Sequence, residues 1–204
     1  PKTMWKGCNN CQRVMKENGL ENEQELQSYF IGKMDKFLTA NGRKLIGWDE
    51  ILEGGLSPNA AVMSWRGEKG GIAAAQQGHF VVMTPTTYCY FDYYQSTHAM
   101  EPIAIGGYLP LEKVYKFDPI PKSLTAKEAK FIMGGQANLW TEYILDYSQL
   151  EYMTYPRAVA LSQCLWSINK PSYESFLSVY LERHEAFFRK IQLNFAKSIH
   201  YPAV

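Results

Sequence analysis

Two short stretches pair an aromatic ring with a carboxylate two positions on: Tyr90 with Asp92, and Trp140 with Glu142. On extended backbone such a pair projects to one side of the chain. A ring beside a carboxylate suits a pyranose. The ring covers the apolar C–H face of the sugar, and the carboxylate accepts hydrogen bonds from its hydroxyls. Affinity then comes from desolvated aromatic area and charge-assisted hydrogen bonds. Trp48 and Trp65 follow short apolar runs much as Trp140 does. One tryptophan at a strand end plugs a core as often as it meets a ligand, but three at matching positions point to a shared rim. The Tyr88–Tyr94 run also fits a protein contact surface, where tyrosine is enriched. Asp49 and Glu50 are adjacent and alternate faces on a strand. They make a poor catalytic pair, and one of them reads as a solvated or supporting acid.

Other chemistries find less support. The histidines, His79, His98, His184 and His200, show neither HxH nor HExxH spacing, which disfavours a metal site or a Ser–His–Asp arrangement. His79 reads as a strand flank and His184 as a helix residue. Cys8 and Cys11 have CxxC spacing, but Cys89 and Cys164 lack the close Cys or His neighbours that would complete a zinc site. That pair reads as a turn before a helix. Gly67-x-x-Gly70-Gly71 has neither the spacing nor the Lys-Ser/Thr of a phosphate loop. No metal and no cofactor is expected. Lysine and arginine number 21 against 20 acids, a net +1, so the chain as a whole does not attract nucleic acid or an anionic membrane. Mean hydropathy is −0.30, and no apolar stretch approaches the ~18 residues of a membrane span. Pro1–Lys6 lacks the apolar core of a signal peptide. At 46% hydrophobic and 20% charged residues, the chain buries a real core rather than staying disordered.

The elements that must position these residues alternate in type. Asn22 with Glu25 resembles a cap with its reciprocal acid, opening a helix along Leu26, Phe30, Met34 and Phe37 that stops near Gly42. Short strands are expected at Lys44–Trp48, Ala60–Trp65, Phe80–Thr84 and Gln136–Trp140. A small helix lies between Gly70 and Gly78, and Thr125-x-x-Glu128 opens another that ends at Gly134. One closing helix enters through Pro156, and a second carries Phe176, Tyr180, Phe187 and Ile191 on one face. The segment from Thr84 to Ser123 has little regular pattern, and loops of that length are usually functional. Strand–helix alternation without hairpin signals indicates parallel β/α units. A doubly wound sheet and a (β/α)8 barrel both fit. Within a chain of 204 residues, the visible strands make about half of a barrel, which needs eight strands and about 250 residues. In such folds the C-terminal strand ends form the active-site face, where all of these aromatic motifs fall.

Taken together, four motifs resemble glycoside hydrolase family 20, the β-N-acetylhexosaminidases. They are Gly47-Trp48-Asp49-Glu50, Met63-Ser64-Trp65-Arg66-Gly67, Tyr90-Phe91-Asp92-Tyr93-Tyr94-Gln95 and Asn138-Leu139-Trp140-Thr141-Glu142. Each alone is weak, but their order covers the chain to about Trp166. The resemblance implies a retaining exo-hydrolase of terminal β-linked N-acetylglucosamine or N-acetylgalactosamine. In that family the acetamido carbonyl of the substrate attacks the anomeric carbon and gives an oxazolinium intermediate. Trp48, Trp65 and Trp140 then match the rings that enclose the sugar and its acetamido group. Tyr90 matches the tyrosine that aims the carbonyl, and Asp92 and Glu142 match acids that hold sugar hydroxyls.

The family's catalytic Asp-Glu pair lies just before a segment like Pro1–Trp5, so the general acid and its partner Asp are expected outside this chain. Residues 1–168 then form the C-terminal half of the catalytic barrel, with 169–204 a helical extension packing on it. The partners implied are a glycan or amino-sugar substrate and the N-terminal half of the barrel. The isolated chain is expected to be inactive. A non-catalytic carbohydrate-binding module and a self-associating half barrel are the alternatives, and family resemblance suggests a periplasmic or secreted protein.

Half a barrel leaves two open sheet edges and bares side chains meant for a closed interior, with Leu45, Val62 and Val81 expected on that side. Burial stabilises by roughly 25 cal/mol per Å², so the isolated chain is expected either to pair its edges with another copy, as a homo-oligomer, or to need its missing half. Light scattering at micromolar concentration checks this. A monomer with a cooperative melt and no binding of a hydrophobic dye contradicts it.

Overall fold

The computed structural model describes residues 2–97 and 99–197, so His98 and His200 lie outside the described residues. Contacts divide the chain into two compact units. The first holds Pro1–Met83 and Ile120–Met133, the second Thr84–Pro119 and Gly134–Val204.

In the first unit, helix α1 (Lys2–Lys6) leads into α2 (Asn9–Glu17) through Cys8, whose sulfur accepts the Cys11 N–H at 3.4 Å. The CxxC pair is thus the expected turn before a helix. Helix α3 (Glu23–Ala40) starts where Asn22 Oδ1 accepts the Glu25 N–H at 3.0 Å and Glu25 accepts the Glu21 N–H at 2.8 Å. It stops at Gly42, whose φ of +67° favours glycine. Its apolar stripe stays largely open at Phe30 and Phe37, while Asp35 is buried with Ser57 Oγ donating to it at 2.5 Å.

Strands β1 (Ile46–Trp48), β2 (Ala61–Ser64), β3 (Val81–Met83) and β4 (Ile132–Gly135) form one sheet in the order β1-β2-β3-β4. β1–β2 and β2–β3 pair in parallel, with Gly47 opposite Val62 and Val62 opposite Val81. Residues opposite one another share a face. On one face Val62, Ser64, Val81 and Met83 are fully buried, covered by helix α4 (Lys69–Gln76). Leu45 is buried as well. The expectation that Leu45, Val62 and Val81 lie open therefore fails. The exposed apolar residues include Ile46 at 49% and Met133 at 65%, which line a cavity of ≈ 440 Å³ with Phe80 and His79. Both faces of these strands are apolar, so alternation alone carries no sign of which parity faces the helix.

The fourth strand also shifts, to Ile132–Gly135 from the expected Gln136–Trp140. Gly134 sits in it at φ +137°, a glycine conformation, and glycine hides strand propensity. The Thr125–Glu128 capping box does form, with Glu128 accepting the Thr125 N–H at 2.8 Å. It opens only a single 3₁₀ turn, Glu128–Phe131, because β4 begins immediately after.

The second unit contains α5 (Thr86–Cys89), α6 (Leu111–Tyr115), α7 (Tyr147–Thr154), α8 (Arg157–Trp166), α9 (Tyr173–Val179) and α10 (Glu185–Lys190). Pro156 stands just before α8 rather than inside its first turn. Between α9 and α10 lies a π turn, Tyr180–His184. The buried stripe is Phe176, Tyr180 and Phe188, whereas Phe187 is 55% exposed and Ile191 is open as well. Steps of four residues drift about 40° each on an α-helix. The wider π turn absorbs that drift and moves the face from Phe187 to Phe188.

A Cβ on Gly71 would lie 2.5 Å from the Met83 sulfur and 3.1 Å from Ser64 Cβ, both fully buried. Gly71→Ala is therefore expected to destabilise the protein by ~1–3 kcal/mol in urea unfolding. Gly32→Ala, mid-helix with nothing within 4 Å, is expected to stabilise it by up to ~1 kcal/mol. Equal effects of the two would refute this account of α4 packing.

Candidate functional site

In the first unit, the end of β1 holds the end of β2. The Asp49 carboxylate is buried and accepts the Trp65 N–H at 3.0 Å and the Arg66 N–H at 3.1 Å, while Arg66 Nε donates to its other oxygen at 2.5 Å. Glu50 accepts the Trp65 indole N–H at 2.9 Å. Arg66 reaches on to Glu53 at 2.8 Å, and Lys2 pairs with the same carboxylate. Lys2 and then Arg66 hold the Glu53 carboxyl below the usual range. Ser64 Oγ donates to the Gly67 carbonyl at 2.7 Å and accepts the Gly71 N–H at 2.8 Å. Trp48 and Trp65 are both left half-buried. The sequence leads one to expect a solvated or supporting acid at one of Asp49 and Glu50, and both support the Trp65 loop. Gly70 and Gly71 serve close packing, since a Cβ on Gly70 would meet Asp49 Cβ at 2.8 Å.

In the second unit, Asn138 is the hub. Its backbone N–H donates to the Cys89 carbonyl at 2.8 Å, and its carbonyl accepts the Phe91 N–H at 2.7 Å. Its side-chain amide donates to Thr84 Oγ1 at 2.7 Å and accepts from Gln136 at 2.9 Å. This bridge is what joins the two ring–carboxylate pairs. The Tyr90 segment is not extended as the spacing argument required, because Tyr93 N–H donates back to the Tyr90 carbonyl at 3.3 Å in a turn. The pairs converge nonetheless. Burial raises the pKa of the Tyr90 hydroxyl, while the Trp140 indole and the Asn138 amide act on it as hydrogen-bond donors and lower it.

Asp92 is 4% exposed, and its Oδ1 finds no donor among the described residues. Desolvation pushes its carboxyl up to about 6; its own backbone N–H and Arg157 oppose the shift, and Glu142 adds to it. Trp140 is 43% exposed and Glu142 is open. The second unit thus offers a buried phenol and carboxylate beside an accessible indole and carboxylate. Such a corner can grip a polyhydroxylated ring by stacking and by charge-assisted hydrogen bonds.

Sequence reasoning missed Asn138 as the hub, and it missed Arg157. Arg157 is fully buried. Its Nε and Nη2 donate to the Met153 carbonyl at 3.2 and 2.6 Å, and Nη1 donates to the Tyr93 and Leu109 carbonyls at 2.9 and 3.2 Å. Nη2 also donates to the Phe91 carbonyl, and the guanidinium lies 5.0 Å from the Phe91 ring centroid. Nothing local marks an arginine after a proline at a helix start as special. His79 Nδ1 lies 2.9 Å from the Ala60 carbonyl, and His184 stacks on Tyr180. Among the described residues no group of three His, Cys, Asp or Glu could hold a metal, and no helix is long and apolar enough to cross a membrane.

The sequence model for the glycosyl hydrolase family 20 catalytic domain matches residues 1–169. A β-hexosaminidase of Porphyromonas gingivalis is 53% identical over 168 residues, covering 82% of this chain and 22% of its own length. One from Vibrio furnissii is 31% identical over 167 residues, covering 79% of this chain and 27% of its own. The solved exo β-N-acetylglucosaminidase of Vibrio harveyi, in complex with N-acetylglucosamine, superposes with a TM-score of 0.85 at 30% identity. That match covers 95% of this chain and 31% of the solved one. The chain thus spans about a fifth to a third of the length of these proteins. The expected fold class, part of a (β/α)8 barrel, is borne out.

Removing the Asp49 carboxylate leaves two backbone N–H groups and a guanidinium without their acceptor. Asp49→Ala is expected to cost ~2–4 kcal/mol in chemical unfolding, from one hydrogen bond to a charged group and two orphaned donors. Glu50→Gln keeps an oxygen for the indole and is expected to cost under ~1 kcal/mol. A similar loss in both variants would contradict the ranking.

Proposed function

The chain belongs to glycosyl hydrolase family 20, and from that premise we propose that it carries the sugar-holding part of a retaining exo-β-N-acetylhexosaminidase. The observation that carries this reading is the convergence of Tyr90 with Trp140 and of Asp92 with Glu142 around Asn138. The substrate is a glycan ending in β-linked N-acetylglucosamine or N-acetylgalactosamine. The names of the relatives, and the N-acetylglucosamine bound in the Vibrio harveyi structure, support that class. We assign residues 1–168 to barrel strands with their helices and 169–204 to a helical extension, of which 198–204 lie outside the described residues; the family match over residues 1–169 supports this division.

In this mechanism the family resemblance assigns contact with the sugar and its acetamido group to Trp48 and Trp65 of the first unit and to Trp140 of the second, while Asp92 and Glu142 accept hydrogen bonds from ring hydroxyls. Tyr90 donates to the acetamido carbonyl and aims its oxygen at the anomeric carbon. The attack is intramolecular and closes an oxazolinium ring, which water then opens with retention. Holding the attacking oxygen in line removes much of the entropic barrier, up to ~7–11 kcal/mol in ideal cases. The leaving oxygen needs a proton from a general acid, a Glu with a partnering Asp supplied outside this chain. General acid catalysis of this kind contributes ~10²–10⁴ in rate.

The test uses the protein that contains this chain, with an aryl β-N-acetylglucosaminide as substrate. Tyr90→Phe is expected to lower kcat by roughly 10²–10³, as loss of a transition-state donor does, with a much smaller change in KM. Trp140→Ala is expected to raise KM as well, since it removes stacking area. Changes confined to KM in both variants would overturn the assigned roles. Sugar binding without any turnover would favour the carbohydrate-binding module.

A further inference from the structure

Arg157 is the most deeply buried cation among the described residues, and its donors all go to main-chain carbonyls. Two of those carbonyls, on Phe91 and Tyr93, immediately flank Asp92. A third, on Leu109, closes the far end of the Tyr94–Tyr108 loop, whose ends are joined by a parallel bridge. The guanidinium fork thus holds the turn that presents Tyr90 and Asp92 from the core side, with the Phe91 ring packed on it. Carbonyls satisfy hydrogen bonds but leave the cation's net charge uncancelled, and a buried charge seeks an opposite one. The carboxylates that act on it are Glu101 and Asp92, with the Tyr152 phenol beside them. Glu101 accepts from Ser96 at 2.6 Å and from Tyr152 at 3.0 Å through the same oxygen. Its other oxygen, Oε2, and Asp92 Oδ1 are both without a partner among the described residues. Facing Asp92, Glu142 opposes its charge and Arg157 supports it, while Tyr90 and Tyr93 stand next to it as neutral phenols.

We propose that Arg157 is the positioning residue of the sugar site: its fork fixes the Tyr90–Tyr93 turn on both sides of Asp92, and the charge it brings there supports the Asp92 carboxylate alongside that of Glu101. The inference rests on the proposed sugar role of Asp92, which it deepens. It assigns to one residue of α8 both the place and the charge state of a hydroxyl-binding group. A lysine in its place keeps the charge but cannot reach four carbonyls, because its single ammonium has three donors and no planar fork.

The test separates fork from charge. With aspartate Cγ labelled in the intact protein, the Asp92 carboxyl is expected to titrate near 6. It should stay there in Arg157→Lys and move up in Arg157→Met, since losing a nearby cation disfavours the anion. Arg157→Lys is expected to lower kcat/KM at least roughly tenfold from misplacement of the turn, with its acid limb unmoved. A third measurement needs no change at Arg157: its Nε–H resonance should shift with the Asp92 midpoint in the wild type and stop doing so in Asp92→Asn. An Arg157 signal blind to Asp92 ionisation, or an Arg157→Lys enzyme with wild-type kcat/KM, overturns the proposal. Absence of hydrolysis in the wild type instead sinks the sugar reading, while the Asp92–Arg157 linkage is still scored by its own resonances.

Discussion

A charge removed from water must find hydrogen bonds or give up its ionised form, and both units of this chain are organised around that constraint. In the first, the anion is Asp49, answered by the backbone N–H groups of Trp65 and Arg66 and by the Arg66 side chain. In the second, the cation is Arg157, answered by the carbonyls of Phe91, Tyr93, Leu109 and Met153. In each case a buried ion grips the main chain of a loop that carries aromatic side chains. Main-chain partners are well suited to this task, because backbone cannot swing away as a side-chain partner can.

The two solutions differ in what they leave over. Asp49 has a guanidinium partner, so its unit holds the Trp65 loop on an ion-paired base. Arg157 directs all its donors at carbonyls, so its charge is left to act on the Glu101 and Asp92 carboxylates. Asp92 pays for its burial with a raised pKa of about 6. Carboxyls perturbed in this way cluster at functional sites.

Packing adds a second, quieter demand. Gly70 and Gly71 open α4 because its first turn must touch Asp49, Ser64 and Met83. Those glycines could be mistaken for part of a phosphate loop, but their neighbours are side chains of the core. The π turn at Tyr180–His184 answers a similar demand, keeping Phe176, Tyr180 and Phe188 on one buried stripe.

Local order was legible in the residues. Caps such as Asn22 and Thr125, the glycine stop at Gly42 and the strand–helix alternation are set by interactions within a few positions. The four aromatic motifs, read together, also sufficed to indicate the family. Tertiary structure alone decided which parity of β2 and β3 faces α4, because strands apolar on both sides carry no parity signal. It alone moved β4 to Ile132–Gly135, where glycines mask the strand, and rotated the last helix from Phe187 to Phe188 through a π turn. Above all it made Arg157 visible. The carbonyls it binds on Phe91 and Tyr93 lie 66 and 64 positions away in the chain, and no periodicity or cap reports a hydrogen bond of that span.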